Sequence, residues 1–170
     1  MNENTKVLLK NLTNHVVGFG CVNYPQHFNF QPGQIVPIKW EYLSDAAFDY
    51  GFRYMIENSY LKIMPNNQDY EEIMETLQFT HLMEKIEKAI SYEEIKNILK
   101  IKPLSTQYSK IKKILKDGSE TEKKNVAMAA IELKIKDYTI NSAIKEATNM
   151  DVIKALELQE VSKEEKSFKE

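Results

Sequence analysis

Residues 28–40 read Phe-Asn-Phe-Gln-Pro-Gly-Gln-Ile-Val-Pro-Ile-Lys-Trp, two β-prone segments separated by a proline–glycine turn. Phe28 and Phe30 would share one face of a strand, because strand side chains alternate with a period of two. In the turn, proline presets the backbone dihedral and glycine accepts a positive one. The segment from Ile35 to Trp40 would return as a further strand, restricted by Pro37 to an edge or bulged position. This stretch predicts a small β structure in the N-terminal part of the chain.

The composition changes near Met64. Eleven of the seventeen aromatic residues and four of the five glycines precede residue 61, whereas Lys, Glu, Ile and Leu recur at helical spacing beyond Met64. We therefore predict an α+β chain in which a small β-rich N-terminal module, a sandwich or half-barrel, is followed by a bundle of short helices. The predicted divisions are a β-rich aromatic module at 1–64, a helical module at 65–160 and a mobile charged tail at 161–170.

Local signals predict the elements in more detail. Residues 6–10 and 16–19 would form a hairpin around Thr13-Asn14, and residues 61–63 a last short strand. Ser44-Asp45 would cap a short helix that Gly51 breaks. About six short helices follow Pro65, and their ends are marked by caps and breakers. These are Ser91 and Glu94 as a capping box, Pro103 and Asp117-Gly118 as ends, and Ser119 or Thr121, Asp137 and Asp151 as starts.

A degenerate repeat lies in the helical part. Residues 92–100 and 108–116 share the pattern Tyr-x-x-Ile-Lys-x-Ile-Leu-Lys, and residues 70–77 carry a weaker copy. Tyr, Ile and Leu at these spacings fall on one helix face. The pattern favours similar amphipathic helices packed on a core over a repeated ligand site, which remains the alternative.

Size, charge and cysteine content limit the classes of function. The chain has 170 residues and a formal net charge of −2, so it has no general attraction to nucleic acid or anionic membranes. Its apolar runs are far shorter than the roughly 20 residues of a membrane span. Cys21 is the single cysteine, which excludes an internal disulfide. The N-terminus lacks the basic start and apolar run of a signal peptide, which predicts no secretion by that route.

Few residues could carry catalysis. A nucleophilic pair of Cys21 and His27 is conceivable, but a small buried thiol is normal packing in a strand. A zinc site that adds His15 to these two lacks a fourth ligand and a recognised spacing. A row of carboxylates at Glu41, Asp45 and Asp49 could bind a cation or act as acid and base, but a solvated helix face is favoured. We assign no catalytic, cofactor-binding or metal-binding residue and predict a protein that is not an enzyme and needs no cofactor.

Gly18-Phe19-Gly20 resembles a phosphate-binding loop only superficially. Neither a lysine nor a helix start follows it, so the sequence offers no cradle of amides for a phosphate. The two glycines more simply permit a bulge or a close approach between strands.

A lysine-rich stretch is the candidate for contact with an anion. Six lysines and no acidic residue lie between residues 100 and 116, and a tyrosine stands among them. Such a set could contact phosphates and stack a base, or be a solvated helix face. Because no matching excess occurs elsewhere, nucleic acid is disfavoured as a partner. A helix-turn-helix cadence at 139–156 is also disfavoured as a DNA reader, since its second helix is acidic. The candidate contacts are Lys110, Lys112, Lys113, Lys116 and Tyr108.

Aromatic residues of the N-terminal module are the candidates for a protein interface. Aromatics concentrate at the buried centres of such interfaces. Trp40 and the phenylalanines are expected in the core. Tyr24, Tyr42 and Tyr50 are expected at the surface, because each has a polar end and sits in a turn or at a helix edge.

Residue patterns at both ends resemble small accessory proteins of tailed bacteriophages. The N-terminal pattern comprises Val17-Gly18-Phe19, Tyr24-Pro25, Phe30-x-Pro32-Gly33-Gln34, Glu41-Tyr42-Leu43, Gly51 and residues 59–63. The C-terminal one comprises residues 130–137, 143–148 and Asp151-Val152. This chain has Gly51-Phe52 where the family has a glycine pair.

The resemblance implies a phage protein made with the virion, located in the virion or the host cytoplasm, and it carries over no catalytic residue. The predicted function is binding of another protein, a capsid or head component, with self-association an open option. The alternative is an intracellular phage effector that binds a host defence factor or a small nucleotide.

Overall fold

The computed structural model describes the backbone of residues 2–3 and 5–167. Side chains are described for the same residues up to Val161. Its architecture is α+β, as predicted, with a β-rich N-terminal part followed by helices. The strands are β1 (Lys6–Asn11), β2 (Val17–Gly20), β3 (His27–Phe30), β4 (Ile35–Lys39) and β5 (Leu61–Ile63). The helices of the N-terminal part are α1 (Trp40–Ala46), α2 (Tyr50–Glu57), α3 (Tyr70–Thr76) and α4 (Met83–Lys88), with a 3-10 turn at Thr80–Leu82. The remaining helices are α5 (Tyr92–Ile98), α6 (Leu104–Asp117), α7 (Glu120–Glu132), α8 (Tyr138–Thr148) and α9 (Val152–Ser167).

The strands form two separate antiparallel sheets. Strand β1 is the centre of a three-stranded sheet ordered β4-β1-β5, and β2 pairs with β3 alone. The predicted hairpin between the first two strands is therefore wrong. The backbone N–H of Asn11 donates to the carbonyl of Gln34 at 3.0 Å, and that of Leu12 donates to the carbonyl of Tyr60 at 2.9 Å. The ladders of β1 with β4 and β5 therefore extend to Asn11 and Leu12, directly before the predicted turn at Thr13-Asn14.

A buried asparagine joins the two sheets. Asn11 is 0% exposed, and its Nδ2 donates to the carbonyls of His15, Phe30 and Gln31 at 2.8, 3.0 and 3.1 Å. Its Oδ1 accepts from the backbone N–H and the hydroxyl of Thr13, both at 2.8 Å. One side chain at the end of β1 therefore fixes the chain before β2 and the end of β3.

Strand β4 is an edge strand, as Pro37 predicted. In the β1–β4 ladder, the bonds from Trp40 N–H to Thr5 and from Asn11 N–H to Gln34 show which β4 residues face β1. Pro37 falls on the alternate set, whose N–H groups would point away from β1. The proline therefore occupies a position where its missing N–H costs no ladder bond.

Two predicted helix signals are wrong. Helix α1 begins at Trp40, directly at the end of β4, so Ser44 and Asp45 lie inside it and do not cap it. Gly51 lies within α2 and does not break a helix. The cap of α2 is Asp49, whose carboxylate accepts from the N–H of Phe52 at 2.8 Å.

The first compact unit ends at Tyr92. The predicted boundary at 64 marks the change in composition at the end of β5. The helices that follow, α3 and α4, nevertheless bury side chains in the core formed by the strands. The N–H of Tyr92 donates to the carbonyl of Leu12 at 2.9 Å, and Lys62 Nζ donates to the carbonyl of Ala89 at 2.8 Å. These bonds tie residues 62–92 to the sheet. The core of this unit includes Val7, Leu9, Phe19, Phe30, Ile38, Leu43, Phe52, Ile56, Ile63, Ile73, Met74 and Phe79.

The second compact unit begins at Glu93 and is helical in its described part. The predicted caps are confirmed for three of its helices. Ser119 and Glu122 form a capping box on α7, Asp137 accepts from Ile140 N–H at 2.9 Å on α8, and Asp151 accepts from Lys154 N–H at 3.1 Å on α9. The predicted end at Asp117-Gly118 is confirmed. Pro103, predicted to end a helix, instead precedes the first residue of α6.

The repeated tyrosine pattern is a packing pattern. Its first Ile and its Leu are buried in every copy, the second Ile is half-buried at Ile98 and Ile114, and Tyr70 and Tyr92 are 8% and 5% exposed. Tyr108 is half-buried. The predicted tail at 161–170 overlaps α9, which continues to Ser167, and residues 168–170 lie outside the described part of the chain.

We expect Asn11→Ala to lower the free energy of unfolding by about 3 kcal/mol, because it leaves buried carbonyls of the β2–β3 segment without their donor. Asn66→Ala is the control, since Asn66 is exposed in a turn, and it should change the stability by less than about 0.5 kcal/mol. Urea unfolding followed by circular dichroism measures both. Equal stabilities would contradict the linking role of Asn11.

Candidate protein-interaction surface

A series of neighbouring aromatic rings lies in the first unit. The ring centroids of Tyr50 and Tyr54 are 6.2 Å apart, those of Tyr54 and Tyr60 are 6.0 Å apart, and those of Tyr60 and His15 are 6.2 Å apart. Tyr50 is 79% exposed and Tyr54 is 44% exposed. His15 is also exposed, whereas Tyr60 is half-buried and packs against the core. We call these four residues the tyrosine surface.

Helix α2 determines the direction of two of these rings. Tyr50 and Tyr54 are four residues apart on one helix face, whereas Phe52 and Ile56 are buried on the opposite face. Arg53 anchors the helix, because its guanidinium lies 4.7 Å from the ring centre of Phe79 and donates to the carbonyl of Leu77 at 3.1 Å. The rings therefore stand on a fixed element, beside a loop in which Phe48 is 84% exposed.

The predicted interface tyrosines fall into two groups. Tyr24 and Tyr42 contact each other edge to face, with ring centroids 5.3 Å apart, and Tyr42 also lies 5.9 Å from Phe28. Tyr24 is 42% exposed, but Tyr42 is half-buried beneath it, and Lys39 Nζ lies 5.8 Å from the Tyr42 ring centre. Tyr50 instead joins Tyr54. Tyr54 was missed as a candidate, although its spacing of four from Tyr50 signals a shared face once α2 is taken as continuous.

Asp45 anchors the loop that carries Tyr24. Its carboxylate accepts from the backbone N–H groups of Val22 and Asn23 at 2.5 and 3.0 Å, and from Asn23 Nδ2 at 2.6 Å. Burial alone would raise the pKa of Asp45, but the hydrogen bonds from Asn23 and Val22 outweigh it and hold this pKa below its ordinary value. The loop is thereby bound to α1. Asp45 is a structural anchor and does not join a carboxylate row, since Asp49 caps α2.

The surroundings of Cys21 disfavour its reactive thiolate form. Burial, and secondarily the negative charge of Asp45, raise its pKa. Its Sγ donates to the carbonyl of Tyr42 at 3.6 Å. The His27 imidazole lies against Gly20, where a Cβ would be 2.8 Å from Nδ1. Nothing in this geometry makes a nucleophile of Cys21.

A metal centre has no support in the described residues. Among residues 2–3 and 5–167, no three His, Cys, Asp or Glu side chains converge to hold a metal ion. Across the same residues, no helix has the length and hydrophobicity needed to cross a membrane.

Helix α6 presents the predicted anion-contact residues. Lys110, Lys112, Lys113 and Lys116 are exposed, and Lys112 Nζ lies 5.8 Å from the ring centre of Tyr108. Salt bridges to these four lysines are absent from the described part of the chain. The face is that of a solvated cationic helix, and contact with an anion stays a prediction.

No family model, curated protein or solved structure matches this chain.

Asp45→Asn should lower the melting temperature at neutral pH. The side-chain amide of asparagine accepts weaker hydrogen bonds from the Val22 and Asn23 N–H groups than the carboxylate does. A depressed native pKa adds stability above the unfolded-state pKa, and this stability is lost as the pH falls through the native pKa. The difference from the wild type should therefore narrow below about pH 4. Asp69→Asn is the control, since Asp69 makes no capping bond. A pH-independent difference would contradict the anchor.

Alkylation of Cys21 by iodoacetamide should have a pH midpoint above that of the same chain unfolded in urea, because burial disfavours the thiolate. Asp45→Asn should lower this midpoint, since it removes the nearby negative charge. Mass spectrometry of the modified chain gives the rates. Alkylation that is faster in the folded chain than in the unfolded chain at pH 7 would instead support the hypothesis of a nucleophilic pair of Cys21 and His27.

Proposed function

We propose that this chain is a non-enzymatic protein of a tailed bacteriophage that binds another protein, a component of the virion head, through the tyrosine surface. The observation that carries the proposal is the row of neighbouring rings from Tyr50 to His15, two of which stand on α2. Tyrosine suits such a role, because it contributes a large contact area, a hydroxyl and a small loss of conformational entropy. The phage setting rests on the resemblance of residue patterns alone.

The charge distribution is consistent with a protein partner. Of the charged residues near the two exposed tyrosines of α2, Asp49 and Arg53 are engaged in bonds that hold the helix, and Glu57 lies on the same face at the end of the helix. Depletion of free charge at the centre and aromatic enrichment are typical of protein interfaces.

The alternative effector would bind a host factor or a small nucleotide. A nucleotide needs a concave site that buries most of its surface and offers fixed polar groups. The described groove along β2, with a volume of about 280 Å³, is open to solvent and is lined by uncharged and glycine residues beside His27. It provides no cation for a phosphate, so this groove does not suit a nucleotide.

A mass-spectrometric inventory of purified particles of the encoding phage tests the setting. We expect the chain at a fixed copy number that survives a high-salt wash. Absence from particles, with abundance in infected cells, would contradict the virion role and favour the effector.

Tyr50→Ala should weaken binding of the purified chain to phage particles that lack it by at least about tenfold, as expected when an interface aromatic is removed. Tyr138→Ala is the matched control, because Tyr138 is 82% exposed and is likewise the first residue of its helix. This variant should bind within about twofold of the wild type. Co-sedimentation with the particles measures both affinities, and unchanged melting temperatures show that the variants are folded. Equal binding by the two variants would exclude the tyrosine surface.

A further inference from the structure

Strand β2 has a free hydrogen-bonding edge. Its register pairs Val17 with Phe30, Gly18 with Asn29, Phe19 with Phe28 and Gly20 with His27. The N–H of Cys21 donates to the carbonyl of Gln26 at 3.0 Å, which fixes the alternation of the ladder. Val17 and Phe19 therefore bond to β3, whereas the N–H and C=O groups of Gly18 and Gly20 point away from it. The sheet has two strands, so these groups have no third strand to pair with in the described part of the chain.

The two glycines allow β3 to approach β2 closely. A Cβ on Gly18 would collide with the Asn29 side chain and lie 2.6 Å from the carbonyl oxygen of Phe28, and one on Gly20 would lie 2.8 Å from His27 Nδ1. These close approaches explain the glycines, as predicted from the sequence. Side chains of Gly18 and Gly20 would project from a face of the sheet, so the outward N–H and C=O groups of β2 are unaffected by their absence.

The edge of β4 carries features that block strand addition, and that of β2 does not. Edge strands of soluble proteins are commonly blunted by proline, charge or a bulge. On β4, Pro37 removes an outward N–H and Lys39 is charged and exposed. Strand β2 has none of these features.

A groove runs beside the open edge. Its lining comprises Val16, Val17, Gly18, Phe19, Gly20, His27 and Asn29, so all four residues of β2 and the residue before it form one side. Val16 is 51% exposed at its end. The lining contains no acidic residue, lysine or arginine. Such a site suits the uncharged side chains of an extended segment whose backbone pairs with Gly18 and Gly20.

We propose that β2 binds an extended, uncharged peptide segment of another protein, which adds to the β2–β3 sheet as a third strand. Backbone bonds to an edge strand are an established mode of peptide recognition, in which pockets select alternate side chains. A second copy of this chain fits less well. Pairing β2 with itself would bring glycine-rich strands of four residues together and bury far less than the roughly 1,200 Å² of a stable interface. The groove adjoins the tyrosine surface at Val16 and His15 but shares no residue with it, and this proposal does not rest on the proposed function.

The test uses the full chain and a display library of random linear peptides as the probe. We expect enriched uncharged sequences whose synthetic versions slow amide hydrogen exchange of Gly18 and Gly20 by about tenfold or more, since a new strand occupies their N–H groups. Nuclear magnetic resonance of the labelled chain follows each amide. No enrichment, or binding without protection of these two glycines, would overturn the proposal.

A matched pair of variants tests the position of the site. Val16→Lys should weaken binding of the selected peptide by about tenfold, because lysine is a typical blocker of strand edges. Val22→Lys should stay within about twofold, since Val22 is equally exposed, at 55%, but lies outside the groove lining. Equal effects of the two variants on peptide binding would overturn the assignment of the site to the β2 groove. So would a concentration-dependent dimer that Val16→Lys dissociates, because the occupant would then be a second copy. Both variants are checked by thermal melting, and the exchange measurement on the wild type stands independently of them.

Discussion

The buried amide of Asn11 is the interaction on which the first unit depends. Its five hydrogen bonds hold β1, the chain before β2 and the end of β3 in one register. Because the two sheets share no backbone ladder, this side chain and the core contacts are what align them. An asparagine suits the position, since it combines two donors with an acceptor and carries no charge to desolvate. The orientation of the β2 edge follows from this link.

The sequence predicted the elements better than their pairing. Pro37 at an edge and the caps Ser119, Asp137 and Asp151 are local signals, and all four are confirmed. The strand partners depend on bonds between distant residues, such as Asn11 with Phe30, which no local pattern reveals. The prediction that Gly51 breaks a helix was wrong for a related reason. Its cost of about 1 kcal/mol in a helix is outweighed by tertiary anchoring of α2, which the residue type alone does not show.

The candidate surface was predictable in part. The polar ends of Tyr24 and Tyr50 indicated exposure correctly, whereas Tyr42 is half-buried because Tyr24 packs on it. Tyr54 and Tyr60 complete the surface through ring contacts that join α2 to the segment before β5. Placing them required the true extent of α2.

The two proposed surfaces would contribute in physically different ways. Hydrogen bonds to a strand edge replace bonds to water, so each adds only about 1 kcal/mol net, but their direction and spacing specify register. Burial of an exposed tyrosine ring such as Tyr50 can contribute about 3 kcal/mol, with little dependence on register. Backbone bonds to the β2 edge would therefore fix the register of a bound peptide, and its affinity would depend on the apolar side chains that it buries beside the edge. High affinity requires buried apolar area, and the tyrosine surface has more of it available than the glycine-lined edge. Recognition and affinity would accordingly be divided between these two faces of the first unit.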